Sequence, residues 1–321
     1  MAAKLSPPET ASLPAGSVSS AIGATPLVEL PRFARGAARL FAKLEWFNPG
    51  GSVKDRIARG MVDDAEARGL LAPGGTIVEA TSGNTGVALA LIAASRGYRC
   101  VVVMPEGYGV VKAKLMTAAG AEVVRTPADD KMAGAVERAT EIARSTPGAW
   151  VPSQFTNPVN PQTHFETTGP EISEQIGGRI DAWVAGVGTT GTFVGVARYL
   201  TERHPGILRV AVEPEGSILT GGCPGPHDVE GIGLSQIWPI LDRSLIDEIV
   251  TVADAPSFAT CRDLAREEGL FVGGSSGSAA AAALQIARRL GPGKTVVTLF
   301  PDGAERYPDQ GIFEELKGSI V

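Results

Sequence analysis

The sequence predicts an α/β protein with parallel sheets covered by helices on both faces, and three observations carry that reading. Short β-branched apolar runs recur from residue 76 onward, stretches of helical period separate them, and glycine-rich turns join the two. In chain order, Thr76–Ala80 reads as a strand, and a Gly/Ser turn leads from it into a helix marked by Val87, Leu91 and Ile92. Residues 100–104 form a buried strand by their β-branched content, residues 112–119 suit a helix closed by Gly120, and residues 121–125 suit a further strand. The rhythm resumes at residues 182–187, 209–212, Glu248–Val252 and Thr295–Phe300, with helices between. The run 279–283 (AAAAA), followed by Leu284, Ile286 and Ala287, fits a tightly packed helix. Pro and Asn crowd residues 153–161, and a domain junction is expected there.

Composition narrows the function classes. A chain of 321 residues with 44% hydrophobic content can bury a large core, and its length suggests two compact units. A formal net charge of -6 argues against a nucleic-acid partner, which demands a basic footprint. No apolar run approaches the roughly 18–20 residues needed to span a bilayer. The first twenty residues, rich in Ala, Ser and Pro, read as neither signal nor transit peptide, and residues 1–12 are expected to form a mobile arm. Cys100, Cys223 and Cys261 are too scattered for a disulfide framework and suit a reducing, cytoplasmic setting. His164, His204 and His227 are equally scattered, so no metal is expected.

Three glycine-rich turns and one lysine carry the chemistry. In residues 48–56 (NPGGSVKDR) a Pro-Gly-Gly turn opens a helix at Ser52 and places Lys54 in its first turn. A cation is awkward there, because a helix N-terminus is itself partly positive. Alone, Lys54 reads as an ordinary surface lysine; the functional alternative is an amine neutralised by an aldehyde cofactor. Residues 81–86 (TSGNTG) pass from strand to helix and offer backbone N–H groups and hydroxyls to an anion such as a carboxylate, although capping alone would also explain them. Residues 186–192 (GVGTTGT) repeat the strand–turn–helix arrangement without the Gly-Lys of a P-loop or the GxGxxG spacing, so a phosphate cradle for something other than a nucleotide fits better.

Taken in order, residues 48–56, 81–86, 154–158 (QFTNP), 164–169 (HFETTG), 188–192 (GTTGT) and 273–277 (GGSSG) resemble the cysteine synthase and cystathionine β-synthase family, from about residue 22 to residue 313. The resemblance implies fold type II, as in the tryptophan synthase β chain: two open, twisted, mainly parallel-sheet domains with pyridoxal 5'-phosphate in the cleft between them. The smaller domain would hold residues 47–160, and the larger 13–46 plus 161–321. By the same resemblance Lys54 carries the cofactor as a Schiff base, and Asn84 bonds its 3′-oxygen. Gly188, Thr189, Thr190, Gly191 and Thr192 hold its phosphate, and Ser275 faces its pyridine nitrogen. Thr81, Ser82, Gly83, Asn84, Thr85 and Gln154 receive the substrate, with Glu230 and Gly231 also lining its seat. The loop departs from the family's common GTGGT at Thr190, which adds a hydroxyl and is not expected to take a glycine-only backbone angle.

The reaction so implied is β-replacement on O-acetylserine through an α-aminoacrylate, with sulfide giving L-cysteine. A neutral hydroxyl at Ser275 makes the pyridine ring a weaker electron sink, which suits β-elimination over transamination. The chosen branch is cysteine synthase, on residues 154–158, 167–171 (TTGPE) and 305–307 (ERY). Residues 213–217 (EPEGS), 230–233 (EGIG) and 273–278 (GGSSGS) speak for the alternative, cystathionine β-synthase, in which Glu230 would hold the amino group of homocysteine. A catalytically silent relative is the distant alternative. A homodimer and a complex with a serine acetyltransferase are the implied partners.

Overall fold

The computed structural model describes residues 16–313, so the expected arm at residues 1–12 lies outside the described residues. The regular elements are β1 (Leu27–Glu29), β2 (Arg39–Leu44), α1 (Lys54–Ala67), β3 (Thr76–Ala80), α2 (Asn84–Arg96), β4 (Arg99–Pro105), α3 (Val110–Ala118), β5 (Glu122–Thr126), α4 (Lys131–Ser145) and β6 (Ala149–Trp150). They continue with α5 (Val159–Glu166), α6 (Thr168–Ile176), β7 (Ala182–Gly186), α7 (Gly191–Arg203), β8 (Leu208–Pro214), β9 (Glu248–Val252), α8 (Asp254–Glu268), α9 (Gly274–Leu290) and β10 (Thr295–Phe300).

These strands form two sheets, and the α/β class expected from the sequence is the one observed. A four-stranded sheet has the order β5-β4-β3-β6 with every pairing parallel. A six-stranded sheet has the order β1-β2-β10-β7-β8-β9, parallel except for β1 at its edge. Burial on both faces explains the unbroken apolar runs. In the smaller sheet Ile77, Val102 and Met104 pack with Ala58, Val62 and Ala65 of α1, while Val78, Val101 and Val103 pack with Ala135 and Ala139 of α4. Because side chains alternate across a strand, one run feeds both cores. The larger sheet does the same: Val184, Val210 and Val296 meet α8 and α9, and Trp183, Ala211 and Val297 meet α6 and α7. The run 279–283 is indeed helical, and Ala279, Ala280, Ala282 and Ala283 are buried within α9.

Three strands escape the sequence pattern: β1, β2 and β6. The omission of β2 matters most, since it pairs with both β1 and β10 in the larger sheet. Its sequence RLFAKL carries two cations. Arg39 is exposed at the strand's start, whereas Lys43 is fully buried and reaches Glu171 at 2.8 Å. A charge that finds its counter-ion 128 positions away looks like a loop residue when only neighbours are read.

Candidate active site

The C-terminal ends of strands from both sheets converge on one cavity of about 290 Å³, with Ala80 of β3, Gly186 of β7 and Leu299 of β10 in its wall. Lys54 enters it at the first residue of α1. The Val53 N–H donates to the Pro301 carbonyl at 2.9 Å, tying the start of α1 to the end of β10. The turn before it needs Gly51, whose φ of +75° favours glycine and whose Cβ would collide with the Arg306 guanidinium.

Two residues after Lys54, fully buried Arg56 bonds Glu45 at 2.7 Å and Glu171 at 2.7 Å. Glu171 also takes Lys43. This buried network of two cations and two carboxylates fixes the helix that presents the amine. Burial would raise the Glu171 carboxyl, but the hydrogen bonds and charges of Arg56 and Lys43 outweigh it and bring it down to about 2. Burial pushes the Lys54 amine below the ordinary lysine range, with Asp302 and Glu45 pulling the other way. A cation at a helix N-terminus in an enclosed cavity loses its proton readily, which is what a nucleophilic or basic amine needs.

The 81–85 turn lies on the same cavity, with Thr81, Ser82, Gly83, Asn84 and Thr85 all in its lining. Thr81 Oγ1 accepts from the Gly83 N–H at 3.1 Å, and the Thr85 hydroxyl donates to Gln154 Oε1 at 2.6 Å. Gln154 therefore joins the turn from the segment between β6 and α5. Asn84 is tightly held: its Nδ2 donates to Asp302 at 2.5 Å, and its Oδ1 accepts from Arg306 at 2.9 Å. The Tyr307 hydroxyl donates to the same Asp302 oxygen at 2.5 Å. Burial raises both the Asp302 carboxyl and the Tyr307 phenol.

Opposite this turn, Gly188, Thr189, Thr190 and Thr192 line the cavity where β7 passes into α7. Gly191 does not line it. It opens α7 against Asn160, whose side chain a Cβ there would strike. At Gly188 a Cβ would strike the Gly231 carbonyl. Contrary to the expectation for a β-branched residue, Thr190 takes a left-handed conformation, φ +74° and ψ -23°. Its carbonyl accepts from the Val194 N–H at 3.0 Å, so the helix's first turn holds it there. Its hydroxyl is buried without a partner.

Ser275 lies at the start of α9, buried, and lines the cavity with Gly231 and Glu230. Glu230 is already engaged. Lys112 of α3 lies 2.6 Å from its Oε2, and Gln310 donates to its Oε1 at 3.0 Å.

Several residues here had no role assigned from the sequence. His164 bridges Thr168 Oγ1 (2.8 Å) and Thr192 Oγ1 (3.1 Å), and burial beside Arg56 and Lys54 pushes its pKa well down, keeping it neutral. Asn160 donates to the Gln154 carbonyl at 2.8 Å and to Thr189 at 3.2 Å, linking the two turns from behind. Asp302, Tyr307 and Lys112 complete the wall, and Arg306 braces Asn84 from behind it. Only the motif 164–169 and the run 305–307 hinted at any of them.

Such a cavity suits a phosphorylated aldehyde. It offers an amine of lowered basicity, a helix N-terminus with open backbone donors, and an unpartnered hydroxyl beside them. The fold and the site define a pyridoxal-phosphate enzyme of fold type II. Residues 18–302 match the family model described as "Pyridoxal-phosphate dependent enzyme", and the chain belongs to that family. It is 46% identical over 297 residues to a cysteine synthase of Staphylococcus aureus, covering 92% of this chain and 96% of that one. Among solved structures it resembles an O-acetylserine-dependent cystathionine β-synthase from Helicobacter pylori, with TM-score 0.88 and 43% identity over 94% of this chain and 100% of the other. It also resembles a cysteine synthase from Entamoeba histolytica, with TM-score 0.92 and 37% identity over 98% and 94% of the two chains.

Proposed function

We propose that the enzyme exchanges the acetate of O-acetylserine for sulfide, releasing L-cysteine and acetate. The observation that carries this reading is one cavity holding Lys54, the 81–85 turn and the 188–192 loop together. The chemistry supplied by bound pyridoxal phosphate is electron withdrawal from the substrate Cα, which makes the α-proton acidic and frees the β-substituent.

The chain's own residues do the rest. The 188–192 loop and the N-terminus of α7 would hold the phosphate, Asn84 the ring oxygen, and Ser275 the ring nitrogen. Thr81, Ser82, Gly83, Thr85 and Gln154 receive the substrate carboxylate on hydroxyls and backbone N–H groups, which fixes Cα near Lys54. Lys54 Nζ, beside Cα, would take the α-proton, and its lowered pKa leaves it free to do so.

Residues 47–160 would form the smaller domain, and 13–46 plus 161–321 the larger, in keeping with the membership of the two sheets. The finer reading includes a cytoplasmic homodimer able to bind a serine acetyltransferase. The free thiols of Cys100, Cys223 and Cys261 are consistent with a reducing location.

The test is direct. Lys54→Ala should abolish turnover of O-acetylserine with sulfide while leaving the circular dichroism spectrum intact. After borohydride reduction of the wild type, mass spectrometry should find the cofactor on Lys54. Label on another lysine would overturn the assignment. A second reading, condensation with homocysteine, is favoured by the charged pair Lys112 and Glu230 in the cavity wall.

A further inference from the structure

Arg306 lies outside the cavity that contains Lys54, in the wall of a separate hollow beside Gly50 and Gly51. It ends a short turn of helix, Ala304–Arg306, and is only 7% exposed. Its guanidinium is spent on two neutral oxygens. One nitrogen donates to Asn84 Oδ1 at 2.9 Å, and another donates to the Gly50 carbonyl. Glu305 lies 3.9 Å away and is 69% exposed, too distant for a hydrogen bond, so pairing with it does not explain the burial. The two acceptors belong to different elements. Gly50 is in the turn that leads to Lys54 at the start of α1, whereas Asn84 opens α2. On its other side Asn84 Nδ2 donates to Asp302 Oδ2, which also accepts from the Tyr307 hydroxyl.

We propose that Arg306 is a positioning residue for the cofactor: it fixes the Asn84 amide so that an N–H, and not the amide oxygen, is offered to the cofactor's ring oxygen. The reason is one of donor and acceptor inventory. An Asn side chain presents oxygen or nitrogen according to which way round its amide sits. A guanidinium only donates and so takes the oxygen; the Asp302 oxygen accepts and so takes the nitrogen. Both neighbours choose the same orientation, and the second Nδ2 hydrogen is the donor that remains. A donor at that point favours the ring oxygen as an anion, whereas an amide turned over would set oxygen against oxygen. The grip on Gly50 adds a second constraint. One rigid guanidinium spans the turn before Lys54 and the amide of Asn84, so the two anchors of the cofactor keep a fixed separation. A pin for the 48–53 turn alone would explain the bond to Gly50 but not the bond to Asn84.

This role rests on the proposed seat of the ring oxygen at Asn84, and the experiment tells the two apart. The full chain, freed of cofactor, is titrated with pyridoxal phosphate and with 3-deoxypyridoxal phosphate, which lacks the ring oxygen, and the ratio of the two affinities is measured. Arg306→Met should lower that ratio about tenfold, the worth of one hydrogen bond to a charged group, and so should Asn84→Ala. The double variant should lower it no further than Asn84→Ala alone, since Arg306 acts through that amide. In the same variants loaded with pyridoxal phosphate, absorption should move from the band of the ionised ring oxygen to the shorter-wavelength band of the neutral hydroxyl. A merely structural Arg306 would weaken both cofactors alike; an unmoved ratio and spectrum in Arg306→Met overturns the proposal. If Arg306→Met does not fold by circular dichroism, Arg306→Lys decides. Its single nitrogen replaces the two that donate, so the ratio should fall at least about threefold, and an unchanged ratio overturns the proposal equally. A ratio indifferent to Asn84→Ala removes the ring oxygen from Asn84 and the positioning role with it. A ratio that answers to Asn84 but not to Arg306 overturns the positioning role and leaves that seat standing.

Discussion

Thr190 shows how far one residue can be pushed by its surroundings. A non-glycine residue in left-handed backbone costs roughly 1–2 kcal/mol, and a buried hydroxyl without a partner adds to that. Both costs fall in the loop that faces the cofactor phosphate in the proposed function, where a bound oxygen would relieve the second. Thr190→Gly should therefore stabilise the cofactor-free protein by up to about 1 kcal/mol in denaturant melts, after the entropy of the new glycine is deducted. The same variant should bind pyridoxal phosphate more weakly by equilibrium dialysis. Equal or tighter binding would show that the hydroxyl does not face the phosphate.

Elements carry a second lesson through their buried charges. Among the described residues Glu79 of β3 meets no cation, only the Ser153 N–H at 3.2 Å, and burial raises its carboxyl to about 8 from an ordinary 4.5. Between those values the folded chain holds a proton that the unfolded chain has lost. Its contribution to stability is thus complete below pH 4.5, declines through the interval, and is gone above pH 8. Glu79→Gln should flatten the fall in melting temperature between pH 5 and 8; an unchanged slope would refute the assignment. The anchor of α1 behaves differently. Arg56 and Glu45 are both fully buried, so Glu45→Gln should cost about 3–5 kcal/mol by chemical denaturation. The exposed pair Arg39–Glu29 should lose less than about 1 kcal/mol on Arg39→Ala.

At the scale of the whole molecule, the sheets and the cavity were legible to different degrees. Runs such as 76–80 and 295–300 announce themselves because parallel strands buried on both faces need β-branched residues throughout. The glycine turns were legible for a related reason: close backbone approach, as at Gly188 and Gly191, tolerates no side chain. Lys112 and Asp302 were not, and Arg306 only as part of the run 305–307, because their meaning lies in partners far along the chain. Arg306 meets Asn84 across 222 positions, and Lys112 meets Glu230 across 118. Such contacts also bridge the elements of the smaller sheet to those of the larger, as does the stack of Phe155 on Trp238 at 4.3 Å. If binding of a substrate carboxylate at residues 81–85 draws the smaller domain inward, these bridges must shift. Crystals with and without a bound amino acid should differ by a rotation of residues 47–160, and their superposition without displacement would exclude closure.

Lys43, Glu45, Arg56 and Glu171 have one more consequence, which concerns heat. The penalty for stripping water from ions shrinks as temperature rises, because ionic hydration is entropically costly, whereas the gain from apolar burial levels off. A largely buried, neutral group of four charges thus contributes relatively more near the melting point than at room temperature. The helix that presents Lys54 is pinned by interactions that strengthen on warming. It should be among the last parts of the chain to loosen as the protein approaches thermal unfolding.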